Sequence, residues 1–311
     1  MSPAPTVPLA AALARGPLVL DGGLSNQLAA QGCDLSDALW SARLLADDPG
    51  QIEQAHAAYV RAGAQVLITS SYQATFEGFA RRGLGRPQAA ELLRRSVELA
   101  RSAAEKEAPG KDVWVAASVG PYGAFLADGS EYRGRYGLSV AELERFHRPR
   151  IEALAEAEPD VLALETVPDM EEAEALLRAV AGCGVPVWLS YSVAGERTRA
   201  GQPLQEAFAL AAGNDQVIAV GVNCCTPADA VGAVRTAAEA ARKPVVVYPN
   251  SGEEWDAAAR SWTGRPAFSA DFTADRVTTW CAAGARLLGG CCRVGPGDIA
   301  ALARALDAGP E

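Results

Sequence analysis

The sequence predicts an α/β protein that folds as a single (β/α)8 TIM barrel. Eight short apolar runs recur along the 311 residues, segments of helical periodicity separate them, and no Pro- or Ser-rich linker divides the chain. Apolar runs rich in β-branched residues and without strict alternation are typical of parallel strands buried on both faces. An open, doubly wound sheet is the alternative fold, and the total of eight strands favours a closed barrel.

The eight predicted strands each end in small or polar residues. They cover residues 18–21, 65–70, 113–119, 161–165, 187–192, 217–223, 245–250 and 285–290. In a barrel the carboxyl ends of the strands meet at one rim, where active sites gather. The residues that end each run are therefore the candidates for a functional site.

The predicted helices fill the intervals between the strands. They cover residues 49–62, 87–106, 139–157, 170–181, 204–212, 227–241, 273–283 and 296–306. Ser139 and Glu142 have capping-box spacing, Pro227 lies near a first-turn position, and Gly182 and Gly284 follow helical runs. We predict one domain over residues 1–311, in which residues 1–15 are poorly ordered or cap the barrel.

The composition excludes several classes of protein. The formal net charge is −10, from 28 basic and 38 acidic side chains, whereas a nucleic-acid surface needs clustered Lys and Arg. No apolar stretch approaches the roughly 18 to 20 residues of a membrane span, and the first residues do not resemble a signal peptide. We expect a cytoplasmic protein that acts on small molecules and binds neither nucleic acid nor membrane.

The cysteines are the strongest chemical signal in the sequence. In a reducing compartment, cysteines serve metal binding or catalysis more often than disulfides. Cys224 ends the sixth predicted strand, and Cys291 and Cys292 end the eighth, one strand away in a closed barrel. Three thiolates leave the fourth tetrahedral position of zinc open, as in catalytic sites. We therefore predict one Zn²⁺ per chain, bound by Cys224, Cys291 and Cys292.

The remaining cysteines and the two histidines are predicted to be structural. Cys225 is expected to point away from Cys224, and Gly289 and Gly290 are expected to let the backbone bend so that both neighbouring sulfurs face one ion. Three further cysteines are expected to pack in the core: Cys33, Cys183 and Cys281. His56 and His147 are expected to lie on helices, either at the surface or packed between helices.

Several motifs together resemble the homocysteine S-methyltransferases. They are GVNC (221–224) with GGCC (289–292), LDGG (20–23), SVGPYG (118–123), DGSEYRG (128–134), LET (164–166) and YPNSGE (248–253). The resemblance implies that zinc activates the thiol of L-homocysteine, which takes a methyl group and becomes L-methionine. The segments from Asp128 and from Tyr248 are most similar to the branch that uses S-methylmethionine or S-adenosylmethionine as the donor.

The resemblance also implies residues that contact homocysteine. Asp21 and Glu165 would hold its ammonium group, which needs an anionic partner. Ser71 and Thr69 are candidates for its carboxylate. Asn223 is expected either to orient the neighbouring ligand Cys224 or to bind substrate.

The methyl donor must carry a positive charge, and such cations are attracted to aromatic faces. The aromatic and acidic candidates for donor binding are Trp40, Tyr72, Tyr122, Tyr248, Asp128 and Glu131. Aromatic residues are expected near positions 73 and 166 in the betaine-using branch, and Gln73 and Thr166 do not fit that pattern.

Four alternatives stay open at this point. The donor could be betaine or another methyl compound, and the acceptor could be selenocysteine. A different class is a thiol redox or zinc-storage protein that uses four thiolates, from Cys224, Cys225, Cys291 and Cys292. The chain could also resemble the homocysteine-binding module of cobalamin-dependent methionine synthase and need a partner protein. The sequence does not determine the oligomeric state.

Overall fold

A closed sheet of parallel strands forms the centre of the molecule. The computed structural model describes residues 5–35, 39–256, 261–263 and 274–308. We number the barrel strands β1 to β8: Leu18–Val19, Val66–Ile68, Trp114–Val119, Val161–Val167, Val187–Tyr191, Val217–Asn223, Val245–Tyr248 and Ala285–Leu288. Their order in the sheet is β1-β8-β7-β6-β5-β4-β3-β2, and a parallel bridge from Leu20 to Val66 joins β1 to β2. The predicted (β/α)8 barrel is confirmed.

Helices surround this barrel. In chain order they are α1 Leu9–Arg15, α2 Leu24–Ala30, α3 Leu44–Asp47, α4 Pro49–Arg61, α5 Phe76–Arg81, α6 Arg86–Glu107, α7 Tyr122–Leu126, α8 Val140–Ala155, α9 Met170–Val180, α10 Leu204–Ala209, α11 Pro227–Ala241, α12 Ala274–Ala282 and α13 Pro296–Ala308. The capping box of Ser139 and Glu142 is present at the start of α8. None of the described helices is long and apolar enough to cross a bilayer.

The differences from the prediction lie in short elements. The helices α2, α5 and α7 and the antiparallel pairs 193–194 with 197–198 and 254–256 with 261–263 were not predicted. Elements of two to seven residues are too short for a period of 2 or 3.6 to stand out. Strand β4 continues two residues beyond the predicted end, to Val167.

Two apolar cores stabilise the fold. The larger lies between the sheet and the helices, and the smaller fills the barrel, where Trp114, Trp188 and Leu287 are buried. Leu9 and Leu13 of α1 belong to the inner core, so this helix covers the barrel at the amino ends of the strands. The carboxyl ends remain available for a site.

Both histidines are buried between helices and not exposed at the surface. The Nε2 atom of His147 is hydrogen-bonded to Glu172 over 2.8 Å, and its Nδ1 atom contacts Arg150. Neither ring nitrogen of His56 has a hydrogen-bond partner among the described residues. Burial lowers the pKa of His56 to about 4. Both rings are therefore held neutral by the core.

Candidate active site

Three cysteines meet at the rim formed by the carboxyl ends of the strands. Cys224 directly follows β6, and Cys291 and Cys292 follow β8. The three Sγ atoms lie within 4.8 Å of one another, and those of Cys291 and Cys292 are 4.0 Å apart. The Sγ atoms of Cys224 and Cys291 are in contact as a disulfide, with their Cα atoms 5.7 Å apart. The three residues predicted as metal ligands thus share one place.

The donor set fits a soft metal ion. Zinc–sulfur bonds of about 2.3 Å in a tetrahedron place ligand sulfurs about 3.8 Å apart, which is close to the Cys291–Cys292 separation of 4.0 Å. Burial, with Glu131 as a weaker contributor, raises the pKa of the Cys292 thiol to about 11, so a nearby cation is needed to deprotonate it at neutral pH. With the Cys224–Cys291 disulfide reduced, these three residues can hold a metal.

The other described cysteines lie outside this cluster. Cys225 is fully buried in the outer core, and burial raises the pKa of its thiol to about 12. Cys33, Cys183 and Cys281 are partly buried and pack against the same core. Cys225 therefore packs in the outer core, whereas its neighbour Cys224 lies in the cluster at the rim.

Gly289 lies where the backbone of β1 approaches β8 most closely. A Cβ atom at Gly289 would lie 2.6 Å from the carbonyl oxygen of Asp21. Neither Gly289 nor Gly290 has a positive φ. Glycine is therefore needed before Cys291 because neighbouring atoms leave no room for a side chain. A backbone bend, which we expected, does not explain these glycines.

The Asn223 side chain lies between two residues of the rim that have left-handed backbone conformations, and it bonds to one of them. Thr166 and Cys224 have φ values of 58° and 47°, which are rare for residues with a side chain. The Asn223 Oδ1 accepts hydrogen bonds from the Thr166 N–H over 2.8 Å and from the Ser190 hydroxyl over 2.7 Å. Its Nδ2 donates to the Thr166 hydroxyl over 2.7 Å. These bonds occupy the buried amide and connect the end of β6 to β4 and β5.

Two buried carboxylates face each other across the barrel mouth. Asp21 is 1 % exposed; its Oδ2 accepts from the Ile68 N–H over 2.9 Å, and its Oδ1 has no partner among the described residues. Burial raises the pKa of Asp21 well above its usual range, and the charge of Glu165 adds to this rise. An unpartnered, buried carboxylate oxygen is a ready acceptor for a cationic group.

Glu165 is oriented by hydroxyl groups from the barrel interior. Ser118 donates to its Oε1, and Tyr248 donates to its Oε2 over 3.0 Å. Trp188 in turn donates from Nε1 to the Tyr248 hydroxyl over 3.2 Å. Burial raises the pKa of Glu165 to about 7, against the opposing effect of both hydroxyls. Tyr248 therefore lies beneath Glu165, where its ring is buried.

Thr69 and Ser71 are tied into the loop after β2. Their hydroxyls lie 2.7 Å apart, the Ser71 hydroxyl donates to the Ser118 carbonyl, and the Ser118 N–H donates to Thr69. Both side chains are buried. Between them, Ser70 has a buried hydroxyl with no partner among the described residues, and this group was not predicted.

The donor candidates fall into separate environments. Tyr72 packs against Gly120, and its pKa is affected by Thr166, whereas Tyr122 belongs to an aromatic cluster with Phe125 and Phe146. The side chain of Trp40 lies outside the described residues.

Glu131 is the acidic candidate that points inward. It is 8 % exposed, its Oε2 has no partner among the described residues, and its charge acts on Cys292 and Tyr72. Asp128 is instead exposed and accepts a hydrogen bond from the Ser130 N–H over 2.9 Å. The structure thus separates these two carboxylates.

Two further side chains border the cysteine cluster without having been predicted. The Tyr132 hydroxyl and the Cys292 thiol are close enough that each affects the pKa of the other. Arg199 donates to the Cys224 carbonyl over 3.4 Å. Tyr132 is part of the DGSEYRG motif, so its position in that motif was an available signal, whereas Arg199 lies on a hairpin that periodicity does not detect.

Comparison with known proteins places this geometry in a family. The model of a family described as homocysteine S-methyltransferase matches residues 18–306. The homocysteine S-methyltransferase of Escherichia coli (strain K12) is 47% identical over 291 residues, which cover 92% of this chain and 94% of the relative. The selenocysteine Se-methyltransferase of Brassica oleracea var. italica is 39% identical over 308 residues, covering 94% and 89%.

Solved structures agree with this assignment. The metallated form of the homocysteine methyltransferase MmuM from Escherichia coli matches with a TM-score of 0.85 at 45% identity, covering 96% of this chain and 99% of that one. Its oxidized form matches with a TM-score of 0.82 at 46% identity, covering 92% and 94%. The chain therefore belongs to the homocysteine S-methyltransferase family.

Proposed function

We propose that this protein is a zinc-dependent methyltransferase that transfers a methyl group from S-methylmethionine or S-adenosylmethionine to L-homocysteine. The observation that carries the proposal is the cluster of Cys224, Cys291 and Cys292 at a rim that also holds the buried carboxylates Asp21 and Glu165. The cysteine cluster would activate a substrate thiol, and the two carboxylates would hold the ammonium group of an amino acid. Homocysteine carries both groups.

Zinc is the metal that this donor set favours. Thiolates select soft or borderline ions, and three protein ligands leave one tetrahedral position for a substrate. When bound, zinc would supply the positive charge that keeps a substrate thiol deprotonated and nucleophilic at neutral pH. The free thiols of such a site need a reducing compartment, so we propose a cytoplasmic location and one domain for the whole chain.

The chain's own residues would position the two substrates. The Oδ1 of Asp21 and the carboxylate of Glu165 would accept hydrogen bonds from the ammonium group of homocysteine. Glu131, with an unpartnered and buried oxygen, would face the positive sulfur of the donor beside Tyr72 and Tyr132. Cations are stabilised by both carboxylates and aromatic faces.

The reaction is then a direct displacement. The homocysteine thiol releases its proton to solvent, its sulfur forms a bond to the donor methyl carbon, and the bond from that carbon to the donor sulfur breaks. The electron pair stays on the donor sulfur, which becomes a neutral thioether. With S-methylmethionine as donor, both products are methionine.

Metal analysis combined with an activity assay tests the proposal. We expect about one zinc per purified chain, and we expect Cys291→Ala to lose both the metal and methionine formation. Cys281→Ala is the matched control, since this partly buried cysteine packs against the core, and it should retain both. Full activity after verified removal of all metal would refute the proposal.

The donor is tested by measuring methionine formation with S-methylmethionine, S-adenosylmethionine and betaine in parallel. We expect activity with S-methylmethionine and little with betaine, because Gln73 and Thr166 lack aromatic rings. Betaine exceeding both sulfonium donors would overturn the proposed branch. Selenocysteine is included as a second acceptor.

A thiol redox function is the second candidate, because Cys224 and Cys291 are close enough to be joined as a disulfide. A zinc-storage site would need Cys225 as a fourth ligand, and Cys225 lies in the outer core. X-ray absorption separates these functions from the methyltransferase. Homocysteine should raise the number of sulfurs around zinc from three to four only if one position is open.

A further inference from the structure

Arg199 is a cation anchored at the edge of the cysteine cluster. It follows the short antiparallel pair Val193–Ala194 and Arg197–Thr198 beyond β5. Its Nε donates to the Ser192 hydroxyl over 3.0 Å, and its Nη2 donates to the Cys224 carbonyl over 3.4 Å. Its guanidinium carbon lies 5.5 Å from the centre of the Tyr132 ring. The side chain is therefore held between a metal-cluster residue and the loop that carries Glu131.

The charge of Arg199 is not balanced within the described part of the chain. No described carboxylate lies within ion-pair distance of it, and its Nη1 makes no hydrogen bond there. The side chain is half-buried, so its guanidinium is partly removed from water. A partly desolvated guanidinium gains most from a carboxylate partner, which it can bind through two parallel N–H groups.

Both proposed substrates carry an α-carboxylate, and the position of Arg199 selects between them. Homocysteine would be held by Asp21 and Glu165, which end β1 and β4. Arg199 lies beyond β5, against Tyr132. Arg199 and Glu131 act on the Tyr132 hydroxyl with opposite signs, since the first lowers and the second raises its pKa. An amino acid with a carboxylate at one end and a positive sulfur at the other matches this pair of charges.

We propose that Arg199 binds the α-carboxylate of the methyl donor. The proposal rests on the proposed function and adds a recognition site for one end of the donor. With its carboxylate at Arg199, the donor would extend its sulfonium toward Glu131 and the cysteine cluster. Arg199 is thus a specificity-determining residue for donors that are amino acids.

This assignment is tested by changing the enzyme residue and the ligand group separately and together. S-methylmethionine is compared with its amide, which replaces the carboxylate by a neutral group of similar size. The KM of the first and the competitive inhibition constant of the second are measured at saturating homocysteine, in the zinc-loaded wild type, Arg199→Gln and Arg199→Lys. The wild type should favour the carboxylate by at least about tenfold, as expected for a charge-assisted pair.

In Arg199→Gln this preference should fall to within about twofold, since the charged partner is gone, and Arg199→Lys should lie between the two. The KM for homocysteine and the zinc content should not change. Arg197→Gln is the matched control, because Arg197 lies on the same hairpin, is exposed and bonds to the Gly201 carbonyl. It should retain the wild-type preference.

Three results would overturn the assignment. The first is a carboxylate preference that persists in Arg199→Gln. The second is that Arg199→Gln changes the preference for homocysteine over homocysteine amide and leaves the preference for the donor carboxylate unchanged. The third is a loss of zinc from Arg199→Gln with an unchanged ligand preference, which would make Arg199 a support for Cys224. An inactive zinc-loaded wild type would instead refute the proposed function, and this inference with it.

Discussion

Individual residues at the rim are held in costly states that the rest of the barrel supports. Thr166 and Cys224 keep left-handed backbone conformations, which cost of order 1–3 kcal/mol each, and the Asn223 amide bonds to both the N–H and the hydroxyl of Thr166. Asp21 and Glu165 are buried carboxylates whose pKa values lie above their usual range. Such strain and desolvation concentrate at functional sites.

The pKa of Glu165 predicts how stability depends on pH in the substrate-free protein. Burial raises this pKa from its ordinary value to about 7, so the folded state binds the proton more tightly than the unfolded state does. The contribution of the protonated group is therefore fully present below about pH 4.3 and is lost as the pH rises through about 7. The stability of Glu165→Gln should not show this decrease with pH, because its amide does not titrate.

The measurement is urea unfolding at several pH values from 4.5 to 8. The free energy of unfolding of Glu165→Gln, relative to the wild type, should rise by up to ~3 kcal/mol across this range. The exposed residue Glu91, replaced by Gln, is the control and should follow the wild-type curve. Parallel curves for Glu165→Gln and the wild type would show that the carboxylate is not desolvated.

At the level of elements, a buried polar network fixes the loop after β3. Arg150 of α8 donates to the Gly120 carbonyl and contacts His147, and Glu172 of α9 accepts from the Tyr122 N–H. Burial raises the pKa of Glu172 to about 7, while the charge of Arg150 opposes this rise. Gly120 packs against the Tyr72 ring, so the contact between α8 and α9 reaches the site through this loop.

Removing one partner of this network should destabilise the protein. Glu172→Gln removes the carboxylate that His147 contacts over 2.8 Å and whose charge acts on the buried Arg150, and leaving a buried hydrogen-bonding group unpartnered costs about 1–3 kcal/mol. Glu174→Gln is the matched control on the same helix, because its ion pair with Arg178 is exposed and worth about 0–1 kcal/mol. Chemical denaturation of both variants checks the prediction, and equal losses would contradict it.

At the level of the whole molecule, the two ends of the barrel have different tasks. The carboxyl ends of the strands carry the cysteines and the buried carboxylates, whereas α1 covers the amino ends with Leu9 and Leu13. In barrels of this kind, residues at the carboxyl end serve chemistry and residues at the amino end serve stability. Mutations at the two ends should therefore affect different measurements.

Leu13→Ala tests this separation. Leu13 is 1 % exposed, and truncating a buried leucine costs about 2–5 kcal/mol because it leaves a cavity. We expect a lower melting temperature, with kcat and zinc content unchanged at a temperature where the variant is folded. Arg15→Ala, at an exposed position of the same helix, is the control. A fall in kcat without loss of folded protein would contradict the separation.

The sequence by itself determined the barrel, its eight strands and the identity of the residues on the rim. These follow from apolar runs and from the polar residues that end them, which are local features of the chain. Short helices such as α7 and the hairpin before Arg199 were missed, since two to five residues carry no measurable period.

Only the tertiary structure decided what the rim residues do, because their roles depend on neighbours that are distant in sequence. Tyr248 was predicted as an open aromatic face, yet it lies beneath Glu165 and donates a hydrogen bond to it. Asn223 braces Thr166 across 57 residues of sequence. Arg199 bonds to the Cys224 carbonyl and has no carboxylate partner among the described residues, and no local pattern of the sequence indicates either feature.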